Sequence, residues 1–306
     1  MLTTCPSCRG PLTPQPGAKP VGETAESYSE CARVCLNCEI ALSNARKPTF
    51  IRCDWRDGLW RRDTAGRLNR IVAGSLSEGT REKKLARLAH ERSEGLLTWN
   101  VFSWLEDRGL LGRVVSLIRG QESPGKVDIL YWGFNDRDAG YAARTIAELR
   151  GLLTETFREP RLSEPDVILV SDTSLVFVEA KFDSPNDRQP GKDVDRYVRR
   201  VPDWFVAEDR VQSAGYYELT RNWAIGAALA EKLSKDFTLV NLVRHGSEED
   251  IERDFPALIT SRGHFKRLEW EDLVDAVEPA LIAHLQHETL YFEPAFSTLG
   301  VKRPPV

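Results

Sequence analysis

Glu164-Pro165-Asp166-Val167-Ile168-Leu169-Val170-Ser171-Asp172-Thr173-Ser174-Leu175-Val176-Phe177-Val178-Glu179-Ala180-Lys181-Phe182 is the stretch that decides the fold. Two apolar runs flank Ser-Asp-Thr-Ser, a turn signal, so the stretch predicts an antiparallel hairpin. A turn centred on Asp172 and Thr173 sets Asp166 opposite Glu179, with Cβ atoms roughly 4.5 to 5.5 Å apart. Strand side chains alternate, so Glu179 and Lys181 point to one face while Val178, Ala180 and Phe182 point to the other. One face therefore gathers Asp166, Glu179 and Lys181. Two carboxylates so close repel, and one lysine offsets only part of the cost of burying them beside an apolar sheet. A divalent cation resolves the conflict, and oxygen ligands suit Mg²⁺ or Mn²⁺, which retain waters and can meet a substrate phosphate. The same residues also read as a surface ion pair at a hairpin end. Against that stand the almost wholly apolar strand they terminate and the Asp that follows Pro165.

Outward from the hairpin, strands and helices alternate. On the N-terminal side, REKKLARLAHER at 81–92 predicts a charged helix with a basic bias, and GLLTWNVFSWLEDRG a core-facing helix that stops near Gly109. VDILYW at 127–132 predicts a strand and GYAARTIAELRGLLTETF a helix. Beyond the hairpin follow a long helix from about Val211 to Lys232, a strand FTLVNLV at 237–243 and a helical region around Asp272 to Leu285. This order predicts an α/β fold with a mixed central sheet flanked by helices.

All six cysteines lie near the start, at Cys5, Cys8, Cys31, Cys35, Cys38 and Cys53. Cys5 and Cys8 form one C-x-x-C and Cys35 and Cys38 a second, with 26 residues between the pairs. Four such thiolates can enclose a tetrahedral Zn²⁺ and fold a segment that has little apolar core. Cys31 competes for a ligand place, and Cys53 reads as a small core residue. A site closed by four thiolates leaves no open position, so the zinc is expected to be structural. The expected organisation is a zinc-binding module over 1–55, a connector and basic helix over 56–90, and a catalytic domain over 91–306.

The 306 residues carry 42 Lys plus Arg against 46 Asp plus Glu, a net charge of −4, so no global basic field draws the chain onto a polyanion. Local basic stretches, such as Arg196, Arg199, Arg200 and the 81–92 helix, would have to serve. No run approaches the roughly 18 apolar residues of a membrane span, and the first residues lack an apolar signal core, so no membrane partner and a cytoplasmic location are expected. The histidines are scattered, and there is no Walker loop, no G-x-G-x-x-G after a strand and no G-x-S-x-G.

Pro165-Asp166, twelve residues, then Glu179-Ala180-Lys181 resembles the signature of the PD-(D/E)xK nuclease superfamily. The resemblance implies a restriction-endonuclease-like core, laid on residues 91 to 243 with the helix of about 140–157 inserted between the first two strands. It implies a Mg²⁺-dependent (or Mn²⁺-dependent) nuclease acting on nucleic acid, DNA first, in prokaryotic restriction, defence or repair. Asp166 and Glu179 would hold the metal together with the Ala180 carbonyl, and Lys181 would position the attacking water or stabilise developing charge. A Glu on the family's first helix often completes the site; Glu94, sharing the inward face with Leu97 and Val101, fills that role here. Glu94 also reads as a first-turn charge beside Ser93, and Glu106, at the exposed end, is the weaker alternative. Gln212 and Tyr216 resemble the Q-x-x-x-Y of exonuclease-like members, and their spacing puts both on one helix face. A homodimer is a further partner expectation, and a catalytically silent binding module on the same scaffold is the alternative function.

Overall fold

Two sheets organise the chain. The computed structural model describes residues 4–278 apart from 6–7, 21–32, 38–39, 44–48, 53, 78–80, 91–92, 122–124, 138–139, 160–163, 183, 187 and 190–193. Strands β1 (Thr13–Pro14), β2 (Arg33–Cys35), β3 (Ile40–Ser43) and β4 (Thr49–Arg52) form a four-stranded antiparallel sheet in the order of the chain. Among the described residues of this region the buried apolar cluster is Cys5, Leu12 and Cys35.

Four helices follow: α1 (Ala65–Gly74), α2 (Arg81–Leu88), α3 (Glu94–Asp107) and α4 (Leu111–Arg119). Then come β5 (Asp128–Tyr131), α5 (Tyr141–Gly151), β6 (Val167–Val170) and β7 (Ser174–Ala180). The chain continues through α6 (Asp195–Val198), α7 (Glu208–Ala214), α8 (Tyr217–Leu233) and β8 (Asp236–Val243), and the last described elements are α9 (Glu249–Asp254), β9 (His264–Glu269) and α10 (Trp270–Val277). The second sheet has the order β5-β6-β7-β8-β9, antiparallel through β7 and parallel from there. The chain is therefore α/β with a mixed five-stranded sheet flanked by helices.

The hairpin of β6 and β7 has the register the turn residues predict. Val167 pairs with Val178 and Val170 with Leu175, and the Ser171 hydroxyl accepts the Ser174 N–H at 3.0 Å to close the turn. Alternation along β7 splits the core in two. Val176, Val178, Ala180 and Phe182 pack with α1, α3, α4 and α10, whereas Leu175 and Phe177 pack with α5 and α8.

The structure refines three of the expected segments. The segment 56–90 is more than a connector: Leu59, Trp60, Leu68, Ile71, Val72 and Leu88 belong to the same core as α3. Trp60 is tied there by its N–H to Asn100 Oδ1 at 3.1 Å and its ring N–H to Ser103 Oγ at 2.7 Å. The helix expected from Val211 to Lys232 is two helices, because Gly215 takes a left-handed φ of +74° and caps α7. The last helix spans Trp270–Val277, and the expected residues from 279 on lie outside those described.

Gly226 is a place where the core allows no side chain. It lies on the inward face of α8, and a Cβ there would overlap the ring of Phe237, which is buried against Phe177 and Trp223. Gly226→Ala is expected to lower stability by about 1–3 kcal/mol despite the better helix propensity of alanine. A urea midpoint equal to or above wild type would contradict this packing.

Candidate metal and catalytic centre

The acidic centre sits where β7 ends. Asp166 lies one residue before β6, and its Oδ2 accepts the Ala180 N–H at 2.9 Å, a bond that stitches the open end of the hairpin. Glu179, buried at 5% exposure, sits across from it. Lys181 Nζ lies 2.8 Å from Glu179 Oε1 and 2.8 Å from Glu218 Oε2. The lysine backbone is fixed on both sides: its N–H donates to the Leu242 carbonyl at 2.8 Å, and its carbonyl accepts the Trp270 ring N–H at 3.0 Å. These bonds fix the backbone from which the lysine side chain reaches the two carboxylates.

Glu94 reaches this end from the opposite layer. Ser93 caps α3 by accepting the Leu96 N–H at 3.1 Å, which starts the helix at Glu94. Glu94 Oε1 then accepts the Phe182 N–H at 2.9 Å, the Ser184 N–H at 3.3 Å and the Ser184 hydroxyl at 2.6 Å. It thus clamps the chain leaving β7. Glu106, the alternative, is not exposed: its side chain is 7% accessible, and Arg67 holds both its oxygens, at 2.6 and 3.0 Å. That pairing occupies it structurally.

Electrostatics follow from this geometry. Burial and the charge of Glu179 push the Asp166 carboxyl up to about 8, with Glu94 adding to the rise and the Ala180 N–H and Lys181 opposing it. Burial by itself would lower the Lys181 pKa, but the charges of Glu179 and Glu218 outweigh it and hold Lys181 above the ordinary lysine range. The two carboxylates beside it therefore favour the protonated form of Lys181.

Asp166, Glu179 and Glu94 supply oxygen donors, the ligand type that hard divalent cations take. Asp166 Oδ1 and Glu94 Oε2 take no hydrogen bond from the described residues, while the proton affinity of Asp166 marks a deficit of positive charge. Asp166, Glu179 and Glu94 do not bring three carboxylate oxygens within 4.8 Å of one another; among the described residues the group whose ligand atoms do so is Cys5, Cys8 and Cys35.

Because Asp166 gains proton affinity on folding, the folded state binds the extra proton between about pH 4 and pH 8. Stability in EDTA should therefore fall as pH rises through that window. Asp166→Asn mimics the protonated form and is expected to exceed wild type at pH 8 by about 2–4 kcal/mol, with most of the difference gone at pH 4. Parallel urea titrations at the two pH values would show it; a pH-independent difference would deny the shift.

Two predicted site residues are elsewhere. The break at Gly215 leaves Gln212 exposed on α7 and Tyr216 in the break, so they share no helix face. Tyr216 packs edge-on against Phe255 under the Arg188 guanidinium. The residues that do face the centre are Glu218 and Asn222, four apart on α8; Asn222 is fully buried and donates from Nδ2 to Glu179 Oε2 at 2.7 Å. An Asn directly before the run Trp223-Ala224-Ile225-Gly226-Ala227 was the available signal. Lys84 of α2 was also missed: it pairs with Glu164, and the charge of Asp166 is felt at it. Among the basic stretches, Arg196 donates to the Tyr197 hydroxyl, and Arg199 pairs with Asp195 and Glu208.

In the N-terminal sheet, the sulfurs of Cys5, Cys8 and Cys35 lie within 4.8 Å of one another, with Cys8 and Cys35 at 3.4 Å. A tetrahedral shell with Zn–S of about 2.3 Å puts its sulfurs about 3.8 Å apart. The Gly10 N–H donates to Cys8 Sγ at 3.4 Å, support suited to a thiolate. The three thiols can hold a metal ion. Cys38, the expected fourth ligand, and Cys31 and Cys53 lie outside the described residues. No helix among the described residues is long and apolar enough to cross a membrane. No protein-family model, curated protein or solved structure matches the chain.

Proposed function

We propose that the chain is a metal-dependent nuclease with a restriction-endonuclease-like core and a structural zinc in its N-terminal module. The observation that carries this reading is the joint placement of Asp166, Glu179 and Lys181 at one strand end, with Glu94 arriving from a separate helix. Surface charges have no reason to be drawn together with a carboxyl pushed to about 8.

In this reading Asp166, Glu179 and the Ala180 carbonyl hold Mg²⁺ or Mn²⁺. A bound ion there would polarise a phosphodiester oxygen and acidify a water. Lys181, kept protonated by Glu179 and Glu218, donates a proton-bearing charge to the oxygen that turns negative as the phosphorus is attacked. Glu94 keeps the chain after Lys181 in place through Phe182 and Ser184. Asn222 fixes the orientation of the Glu179 carboxylate. In the N-terminal module, Cys5, Cys8, Cys35 and Cys38 would close around Zn²⁺ and serve folding rather than chemistry.

The test is incubation of the full chain with circular DNA, linear DNA and RNA, each with Mg²⁺, Mn²⁺ or EDTA. Cleavage of at least one polymer with metal and none in EDTA is expected. Opening of the circle would assign endonuclease action; an inert protein on all three polymers would remove the reading.

A further inference from the structure

Beside the carboxylates, a cavity of about 230 Å³ opens between the chain leaving β7 and the turn after β8. Lys181, Phe182, Ser184, Arg244, Ser247 and Glu248 line it. It is smaller than the roughly 300–1,000 Å³ of pockets that enclose a drug-sized ligand, so it suits a small group rather than a whole nucleotide.

Its walls are built for an anion. Arg244 lines the cavity with its guanidinium carbon 5.9 Å from the centre of the Phe182 ring, and a guanidinium carries five donors in a planar fork, more than one contact uses. The turn carrying it is held from below: Arg267 donates twice to the Ser247 carbonyl, at 2.9 and 2.7 Å, and the Ser247 N–H donates to the Arg244 carbonyl at 3.0 Å. Ser247 Oγ makes no hydrogen bond with the described residues and can donate into the cavity.

Glu248, the carboxylate on the wall, does not oppose this. Its oxygens accept the Asn186 N–H at 2.7 Å, Asn186 Nδ2 at 2.6 Å and Asn241 Nδ2 at 3.1 Å, and Arg188 lies 3.9 Å from it, so it is engaged from the protein side. Those bonds also clasp the two walls together. Asn241 pairs in register with Glu179, so the clasp is continuous with the acidic centre. Phe182 is itself buried, and no aromatic face lies open for a base to stack on.

We infer that this cavity is a phosphate subsite in which Arg244 and Ser247 Oγ hold the phosphodiester next to the one attacked. The inference rests on the nuclease reading, since it is Lys181, shared by cavity and acidic centre, that makes the two phosphates neighbours on one strand. The subsite holds backbone rather than base and contributes affinity without sequence preference.

The experiment measures binding of a short labelled single-stranded DNA to the full chain in Ca²⁺ over a range of salt, beside cleavage by wild type in Mg²⁺. Arg244→Gln is expected to weaken binding about tenfold and to flatten the log–log salt slope by about 0.7, the loss of one phosphate contact. Arg244→Lys should keep the slope and lose part of the affinity, and Ser247→Ala should lose affinity at unchanged slope. If Arg244→Gln fails to fold, these two variants decide: wild-type affinity in both overturns the subsite. Wild-type affinity and slope in a folded Arg244→Gln, with cleavage by wild type intact, overturns the subsite and leaves the nuclease reading standing. A wild-type protein that neither binds nor cuts overturns both.

Discussion

Lys181→Ala is expected to lower the cleavage rate by about 10²–10³-fold, the cost of removing a donor placed where negative charge develops. The structure also gives this change a price in stability. Lys181 Nζ bridges Glu179 and Glu218 at 2.8 Å each, and its side chain is only 12% exposed. Without it, Glu179 keeps Asn222 as its hydrogen-bond partner among the described residues and is left beside the Glu218 carboxylate that Lys181 had bridged to it. In EDTA the variant should therefore be less stable by about 1–3 kcal/mol, below the cost of breaking a fully buried pair because Glu218 is partly solvated. Single-turnover cleavage at saturating Mg²⁺, with urea unfolding alongside, separates the two effects. A wild-type rate in a folded Lys181→Ala protein would remove the lysine from the chemistry.

Cys35→Ser is expected to abolish tight zinc binding and to unfold the N-terminal module while the larger sheet stays folded. Cys35 lies at the end of β2, inside the small cluster it forms with Cys5 and Leu12, and its sulfur touches that of Cys8. That cluster is too small to replace the metal, whose binding free energy in such modules is about 10–16 kcal/mol. The larger sheet, by contrast, draws on both of its faces, and no cysteine lies in its cores among the described residues. Elemental analysis should find one zinc per wild-type chain and none in the variant. Limited proteolysis should remove the first residues of the variant alone. A zinc-free wild type, or a variant whose N-terminal region resists protease equally, would contradict the assignment.

The sequence made the hairpin legible because local chemistry decides it. Ser171-Asp172-Thr173-Ser174 fixes the turn, the turn fixes the register, and the register sets Asp166 against Glu179. Glu94 was legible through its position in the first turn of an apolar helix, although its bonds to Phe182 and Ser184 span a sequence distance no periodicity reports. What escaped were features set by tertiary packing. Gly215 sits in a sequence that otherwise keeps helical period, and only its left-handed backbone shifts the facing pair from Gln212 and Tyr216 to Glu218 and Asn222. The glycines between 58 and 79 read as interruptions, yet Leu68, Ile71 and Val72 form the buried stripe of α1. Strand β9 was missed because its burial is mixed: His264 is exposed and Leu268 buried, so no apolar run marks it.

The central claim is that Asp166, Glu179 and Lys181 form a metal-dependent phosphodiesterase centre. The most direct measurement is the rate of opening of closed-circular DNA by wild type and by Asp166→Asn, purified in parallel, with Mg²⁺ and with EDTA. Asn keeps the shape of the side chain and its acceptor for the Ala180 N–H while removing the ligand charge, so a folded but inactive protein is expected. The account predicts opening by wild type with Mg²⁺ and by neither protein otherwise. Equal opening by Asp166→Asn would contradict it, as would a wild type that leaves the circle, linear DNA and RNA all intact.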